Sequence, residues 1–223
     1  IRADGSLGAW GTVNPMIGFR TDHGAFAYDG FLYAVGGNNG GFDIATVVGD
    51  VAAAVSADKP LPGLRSTLGL LMQATGADDG EIFLCEPEGR DALLCVWAGP
   101  DGDALTERVR FEVGVGYPGI VVATGHPLCT KGELAADRRF LRRAVTDAGI
   151  RSLVAAPLSD ARGVLGSVHL MARRDDFPVE RVLGLLKRAA IPIGNAVRAW
   201  LAALRQSVDG ISGNLADPAA GQP

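Results

Sequence analysis

The sequence predicts an α+β domain in which an antiparallel sheet is flanked by helices. One observation is the segment Arg108–Val113, where two valines and a phenylalanine alternate with two arginines and a glutamate. Such alternation is typical of a strand with one face in water, as in antiparallel sheets. The other observation is that apolar residues recur at helical spacing before the first predicted strand of this domain and after the last one.

Residues 1–42 are rich in glycine and aromatic residues and predict a short β-hairpin extension. Segments Gly24–Tyr28 and Phe31–Val35 are separated by Asp29-Gly30, which supplies the positive φ of a type I′ turn. The pattern resembles one kelch repeat, the unit of a β-propeller blade, although a single blade cannot bury its faces alone. A hairpin extension without kelch ancestry is the alternative. The resemblance rests on Trp10, Arg20, His23, Tyr28, Leu32-Tyr33 and Gly36-Gly37.

Two helices are predicted to open the main domain, residues 43–207. Apolar residues recur at helical spacing from Ile44 to Val55, Asp43 is a candidate cap, and Pro60 and Pro62 are expected to mark the end of this helix. A second periodic run from Leu64 to Met72 is expected to end near Gly76.

Five strands and a long helix complete the predicted domain. The last helix runs from about Val179 toward Val208, and Pro192 is expected to kink it. Residues 208–223 are predicted to form a disordered tail. An irregular segment, 119–149, separates the third and fourth strands, and a helix is expected in it at Arg138–Arg143. The predicted strands are Glu81–Glu86, Ala92–Ala98, Arg108–Val113, Ser152–Pro157 and Val164–Ala172.

Several segments, in this order, resemble those of the GAF family over about Ile44 to Leu204. They are the glycine turn Gly114–Gly119, then Gly125–Leu128, Ala135–Phe140, Ile150–Leu158 and Gly163–Leu170. The resemblance implies a sheet with the first and last helices on one face and a ligand pocket on the other. It also implies a regulatory function, in which the domain binds a small molecule or pairs with a second copy and signals to an effector.

Candidate pocket residues follow from this resemblance. Arg138, Arg139 and Arg151 are candidates for pairing with an anionic ligand, whereas a solvated helix face is the ordinary interpretation of the run that includes Arg142 and Arg143. Strand alternation places His169 on one face with Ser167, either as a ligand contact or as a hydrogen-bonded structural histidine. The candidate set is Tyr117, Cys129, Arg138, Phe140, Arg151, Ser167 and His169.

No catalytic residues are predicted. Gly114–Gly119 matches the GxGxxG dinucleotide fingerprint. The strand before such a fingerprint in a Rossmann fold is buried on both faces, whereas the strand before this segment alternates apolar and charged residues. A glycine turn is therefore the preferred interpretation.

Free methionine sulfoxide reductases are GAF-fold enzymes that use three thiols. Where that family has catalytic cysteines, this chain has Tyr117-Pro118 and Thr146–Ile150. Its three cysteines, Cys85, Cys95 and Cys129, are expected to be reduced, with a Cys85–Cys95 disulfide as the minor alternative.

No metal or cofactor is expected. His126 and Cys129 supply two zinc ligands, whereas a structural zinc site needs four. The signatures with which GAF relatives bind cyclic nucleotides, bilin or haem are missing. Phe177 is followed by Pro178–Val182 and not by Asp-Glu, and Lys131–Gly149 contains neither cysteine nor histidine.

Composition and the last helix set expectations about partners. A net charge of −4 and a pI near 5.4 argue against nucleic acid. No apolar run approaches the roughly 18–20 residues of a membrane span, so no membrane partner and a cytoplasmic location are expected.

The last helix predicts a homodimer that forms through the terminal helices, with Val197, Trp200 and Leu204 as the contact residues. The effector is expected outside this chain, because no kinase phosphoacceptor region, helix-turn-helix or phosphatase segment is recognisable.

The sequence therefore predicts a signal-sensing GAF domain that binds an unidentified small molecule, dimerises or does both. A pure interaction module without ligand is the alternative, and a GAF-fold thiol reductase is the third hypothesis.

Overall fold

A computed structural model describes residues 21–28, 31–38, 42–55, 59–86, 89–100 and 109–215. The chain divides into two units, residues 1–43 and residues 44–223. The first contains an antiparallel hairpin of β1 (Thr21–Tyr28) and β2 (Phe31–Asn38), in which Tyr28 lies opposite Phe31. This pairing agrees with the predicted hairpin. The predicted turn at Asp29-Gly30, and Trp10 and Arg20 of the kelch-like pattern, lie outside the described residues.

The second unit is built around a six-stranded antiparallel sheet. Its strand order is β5-β4-β3-β8-β7-β6, so the two longest strands, β8 and β7, lie side by side within the sheet and the two shortest lie at the edges. The five predicted strands of this domain are confirmed, and β6 is a sixth that the sequence analysis missed. The strands are β3 (Asp79–Cys85), β4 (Asp91–Ala98), β5 (Arg110–Glu112), β6 (Leu128–Thr130), β7 (Ser152–Asp160) and β8 (Gly163–Ala172).

Helices α1 (Ile44–Ala54) and α2 (Pro60–Thr75) correspond to the two predicted helices at the start of the domain. Pro60 and Pro62 were expected to end the first helix, but Pro60 begins the second. Proline fits there because the first amide groups of a helix have no carbonyl partner within it. Gly76 ends α2 as predicted, in the left-handed conformation with φ of 66°.

The long helix α5 (Val179–Leu215) contains Pro192 and lies against β7. The two elements approach so closely at Gly194 that a Cβ atom there would lie 2.7 Å from the carbonyl oxygen of Ser159. The helix continues beyond the predicted end near Val208, so residues 208–215 of the predicted tail are helical. Residues 216–223 lie outside the described part of the chain.

Helices α2 and α5 pack on one face of the sheet, and α1 packs on α2 and α5. The first and last helices therefore lie on one side, as the predicted fold class requires. Val197, proposed from the sequence as a dimer residue, is only 2% exposed and lines a small cavity with Val55 and Leu64. It belongs to the core between these helices. Trp200 is half-buried and Leu204 is 46% exposed.

The opposite face of the sheet is covered by α3 (Gly116–Thr124) and by residues 125–149, which we call the cover segment. The cover segment contains β6, a 3₁₀ turn at Leu134–Ala136 and α4 (Arg143–Asp147). A buried apolar cluster fills the space beneath it. The members of the cluster are Trp97, Tyr117, Val121, Leu134, Val145, Ile150, Leu153, Ala155 and Met171.

The helix predicted at Arg138–Arg143 is wrong, because helical structure begins only at Arg143. Asp137 explains the difference. Its carboxylate accepts hydrogen bonds from both the backbone N–H and the guanidinium of Arg139, each at 2.9 Å. Such local side-chain bonds favour a turn over a helix. Among the helices of the described residues, none is long and apolar enough to cross a membrane.

Candidate functional site

A row of buried residues crosses the sheet beneath the cover segment. Glu81 on β3 lies opposite Trp97 on β4 and opposite His169 on β8. Because the strands are neighbours in the sheet, their side chains share the face that α3 and the cover segment close. Glu81 and His169 are each 1% exposed and Trp97 is 7% exposed, so two polar groups and an indole are removed from water at one place.

Arg142 joins this row from the cover segment. Its guanidinium donates a hydrogen bond to the carboxylate of Glu81, and the two side chains are 11% and 1% exposed. The guanidinium carbon also lies 5.3 Å from the centre of the Trp97 ring, which is a cation–π distance. Arg142 thereby links the end of the cover segment just before α4 to the middle of the sheet. We call Glu81, Trp97, Arg142, Ser167 and His169 the polar cluster.

His169 is a neutral member of this cluster. Its Nε2 atom lies 2.9 Å from the hydroxyl oxygen of Ser167, and its ring lies 5.1 Å from that of Phe83, centre to centre. Burial first, and then the positive charge of Arg142, lower the pKa of His169 to about 3. The 3.9 Å approach of its Nδ1 atom to Glu81 is therefore not an ion pair at neutral pH.

The pKa of Glu81 is raised. Burial is the main cause and the nearby Asp79 adds to it, whereas the charge and the hydrogen bond of Arg142 oppose them. Arg142 is therefore the partner that favours the ionised carboxylate at this buried position. The indole nitrogen of Trp97 is also buried, and it has no hydrogen-bond acceptor among the residues that the structure describes. A buried donor without an acceptor is costly, and a bound molecule is one source of the missing acceptor.

A second polar group fixes the cover segment to α3. The Tyr117 hydroxyl donates to Asp137 over 2.7 Å and also contacts the Thr130 hydroxyl, while the Arg139 guanidinium lies 5.5 Å from the centre of the Tyr117 ring. Phe140 packs edge-on against the same ring. Burial, above all, raises the pKa of Tyr117 to about 12, and hydrogen bonds from Arg139 hold the pKa of Asp137 well below its usual range.

Of the seven residues proposed from the sequence, the structure brings four to this side of the sheet. Ser167 and His169 belong to the polar cluster, and Tyr117 and Phe140 lie beside it. Arg138 is exposed, and Arg151 is exposed and forms a 2.6 Å salt bridge with Asp175.

Cys129, the remaining candidate, lies on the opposite face of the sheet. Its neighbours on β6, Leu128 and Thr130, lie on the face that carries the buried apolar cluster and Tyr117, so alternation turns Cys129 toward α5. Consistent with this, charged Glu180 and Lys187 of α5 act on the pKa of its thiol.

Sequence reasoning missed three members of the polar cluster. Glu81 was placed at the start of a strand, but its position opposite His169 depends on the sheet order, which no local pattern reveals. Trp97 was assigned only to its strand. Arg142 was considered only as part of a basic run on a solvated helix. The one available signal was that Glu81, a charged residue, directly precedes the apolar run Ile82–Leu84.

The three cysteines are free and half-buried. Burial is the main cause that raises the pKa of each thiol. Cys95 lines a groove with Leu61 and Pro62 of α2, and Cys129 faces α5, so both lie on the helix side of the sheet. No group of three or more His, Cys, Asp or Glu side chains suited to a metal ion occurs among the described residues.

Comparisons with known proteins agree on the fold. The GAF domain of A. aeolicus nlh2 in an inactive state has a TM-score of 0.59 and 19% identity over 70% of this chain and 95% of that chain. The GAF domain of a Coxiella burnetii phosphoenolpyruvate-protein phosphotransferase has a TM-score of 0.62 and 16% identity, over 71% and 95%. A free methionine-R-sulfoxide reductase from Neisseria meningitidis, solved with its substrate, has a TM-score of 0.60 and 19% identity, over 72% and 91%.

The curated proteins give no significant match. The kelch-like interpretation of residues 1–42 is not supported by any of these comparisons. A family model, described as the GAF domain, matches residues 62–197, which include every strand of the six-stranded sheet and the cover segment. On that match, and on the fold that it shares with solved GAF domains, this chain belongs to the GAF domain family.

Proposed function

We propose that this protein is a sensory domain that binds a small molecule at the polar cluster and regulates an effector outside this chain. The observation that supports it most is the buried Glu81–Arg142 pair beneath the cover segment. A buried ion pair is weak as a source of stability, because desolvation offsets its attraction. A buried polar group of this kind, covered by a loop, suits a binding site better than a structural core.

In this proposed function the domain acts in the cytoplasm and binds its ligand without catalysing a reaction. Some proteins of the same fold are sulfoxide reductases, including those of Neisseria meningitidis and Staphylococcus aureus. A thiol nucleophile must ionise, and burial raises the pKa of all three cysteines here. Two of those cysteines also face the helices and not the polar cluster, which favours a sensor over a reductase.

Thermal unfolding in the presence of a broad metabolite panel tests the proposal. A ligand at 100 times its Kd should stabilise the domain by about 2.7 kcal/mol. Glu81→Gln should abolish that response, whereas the exposed control Arg138→Gln should keep it. A response that survives in Glu81→Gln would place the binding site elsewhere.

Reductase activity is tested in the same preparation. We expect no reduction of free methionine sulfoxide by the intact, reduced protein. Turnover that disappears in Cys129→Ser would contradict the proposal and favour the enzyme hypothesis.

A pure interaction module is the second candidate. It is favoured by the exposed Leu204 and half-buried Trp200 on α5. A flat response across the metabolite panel, together with a dimer that depends on α5, would support this candidate over the sensor.

A further inference from the structure

The groups that the sheet contributes to the polar cluster are suited to a cation. Glu81 supplies a carboxylate that is 1% exposed, Ser167 supplies a hydroxyl, and His169 is neutral. Trp97 supplies an aromatic ring, whose face attracts positive charge. The positive charge in the cluster comes from the cover segment, through Arg142. The sheet side of the site is therefore negative and aromatic, and Arg142 fills it.

An anionic ligand does not fit this arrangement. To use Arg142 it would either draw the guanidinium away from Glu81, which would leave the carboxylate buried without its charged partner, or share the guanidinium and place a second negative charge beside that carboxylate. Separating such a pair is strongly unfavourable, and a second negative charge nearby adds repulsion. A ligand with its own positive group instead preserves the charge balance, because it replaces one cation with another.

The position of Arg142 in the chain makes such an exchange feasible. It lies between Leu141, which is 52% exposed, and Arg143, which is also exposed, and it directly precedes the short helix α4. Ahead of this point in the chain, the cover segment is held by the hydrogen bond from Tyr117 to Asp137 and by that from Arg139 to Asp137. The side chain of Arg142 can therefore leave the sheet without breaking the hydrogen bond between Tyr117 and Asp137.

We propose that the ligand of this site carries a guanidinium or primary ammonium group that binds Glu81 beside Trp97 in place of Arg142. The inference rests on the proposed function and names the chemical class of its ligand. Binding of this cation releases Arg142 from the sheet, and the cover segment is free to rearrange at α4. Arg142 is then a tethered mimic of the ligand, and its effective concentration sets the threshold for binding.

Chemical rescue tests this exchange directly. In Arg142→Ala, ethylguanidinium chloride at millimolar concentration should raise Tm in a saturable manner. Wild-type protein should need a concentration at least roughly tenfold higher, because Arg142 already occupies the site in most molecules. Arg143→Ala removes the same charge from the neighbouring exposed residue and should behave as wild type. Urea, a neutral analogue of guanidinium at the same low concentration, and sodium chloride should give no rise in any variant.

Two further variants keep the test decisive. Arg142→Met retains the bulk of the side chain and serves if Arg142→Ala does not fold. Glu81→Gln combined with either substitution should abolish the rescue, because the carboxylate is the group that binds the cation. Equal responses of Arg142→Ala and Arg143→Ala to ethylguanidinium would overturn the inference.

The ligand class is tested on wild-type protein with primary amines and guanidino compounds set against neutral and anionic metabolites. Binding by cationic compounds that is lost in Glu81→Gln supports the inference. An anionic or neutral metabolite that binds at the polar cluster overturns it while leaving the proposed sensor intact. Failure of every class, together with an absence of rescue, contradicts both.

Discussion

His169 is a buried residue whose protonation opposes folding. Burial and Arg142 lower its pKa to about 3 from an ordinary value of 6.5. Below about pH 6.5 the His169 imidazole binds a proton in the unfolded chain but stays neutral in the folded chain. The stability that depends on neutral His169 is therefore complete above that pH and is lost progressively as the pH falls toward 3. Glu81 acts in the opposite direction, because its raised pKa gives the folded state the higher proton affinity.

We expect His169→Gln to lose less stability than wild type between about pH 7 and about pH 5. One uncompensated protonation costs about 1.4 kcal/mol per pH unit, so the difference approaches ~2 kcal/mol at the lower pH. Urea unfolding at both pH values measures it. Glu81, Arg142 and the surface groups are present in both proteins, so most of their contributions cancel on subtraction. Parallel pH profiles would mean that the folded state protonates His169 readily.

Tyr117→Phe should destabilise the domain by about 2 kcal/mol, because it removes a partly buried hydrogen bond to a charged carboxylate. That bond joins α3 to Asp137 of the cover segment over 2.7 Å. Thr124→Val is a suitable control, since the exposed hydroxyl of Thr124 bonds only locally in the described structure, donating to the Ile120 carbonyl and accepting from the His126 backbone N–H. The control should change stability by less than about 0.5 kcal/mol. Equal free energies of unfolding for the two variants would show that Tyr117 does not hold the cover segment.

Two glycines inside helices test how closely the elements pack. A Cβ atom added at Gly69 on α2 would have no described atom within 4 Å, so Gly69→Ala should stabilise by about 0.5–1 kcal/mol through helix propensity. Gly194→Ala gains the same propensity but places its Cβ 2.7 Å from the backbone oxygen of Ser159, so it should destabilise by roughly 1–3 kcal/mol. Thermal unfolding of both variants distinguishes them. A stabilised Gly194→Ala would show that α5 does not press on β7.

The predictability of the elements depended on the length of the periodic sequence pattern that contains each of them. Helices α2 and α5 and the longer strands contain enough periodic apolar residues to be recognised from the sequence. β6 has three residues and is not part of a longer alternating pattern, unlike β5, which is equally short but lies within the alternating run Arg108–Val113. The helix expected at Arg138–Arg143 failed for another reason, because the carboxylate of Asp137 captures the backbone and side chain of Arg139 and stabilises a turn.

At the scale of the whole molecule, the site was predictable only along single strands. Alternation placed Ser167 and His169 on one face, and both lie in the polar cluster. Glu81 lies opposite His169 because β3 pairs with β8, a strand that begins about eighty positions later in the sequence. Arg142 reaches Glu81 through the path of the cover segment. Pairings between distant segments are set by the global fold, so a local pattern does not contain them.

The length of α5 leads to the last prediction, which concerns assembly. The helix has 37 residues and extends ~56 Å, whereas β7, on which it packs, has nine residues and extends ~30 Å. Arg198 binds Asp160 at the end of β7 with Nε 2.6 Å from the carboxylate, and from Ala202 to Ser207 every side chain is exposed. A helix that continues past its support and carries Trp200 and Leu204 is suited to pairing with a second copy.

Leu204→Asp should therefore convert a dimer into a monomer, because an apolar contact between copies would be replaced by two buried like charges. Leu61→Asp is the matched control, since Leu61 is 48% exposed, close to the 46% of Leu204, but lies on α2. Sedimentation equilibrium over a range of protein concentrations measures the mass, and circular dichroism checks that both variants fold. A wild-type protein that stays monomeric throughout, or a Leu61→Asp variant that dissociates as readily as Leu204→Asp, would contradict pairing through α5. Val197 is unsuited to this test because it is only 2% exposed, so its substitution would disturb the core and the proposed interface together.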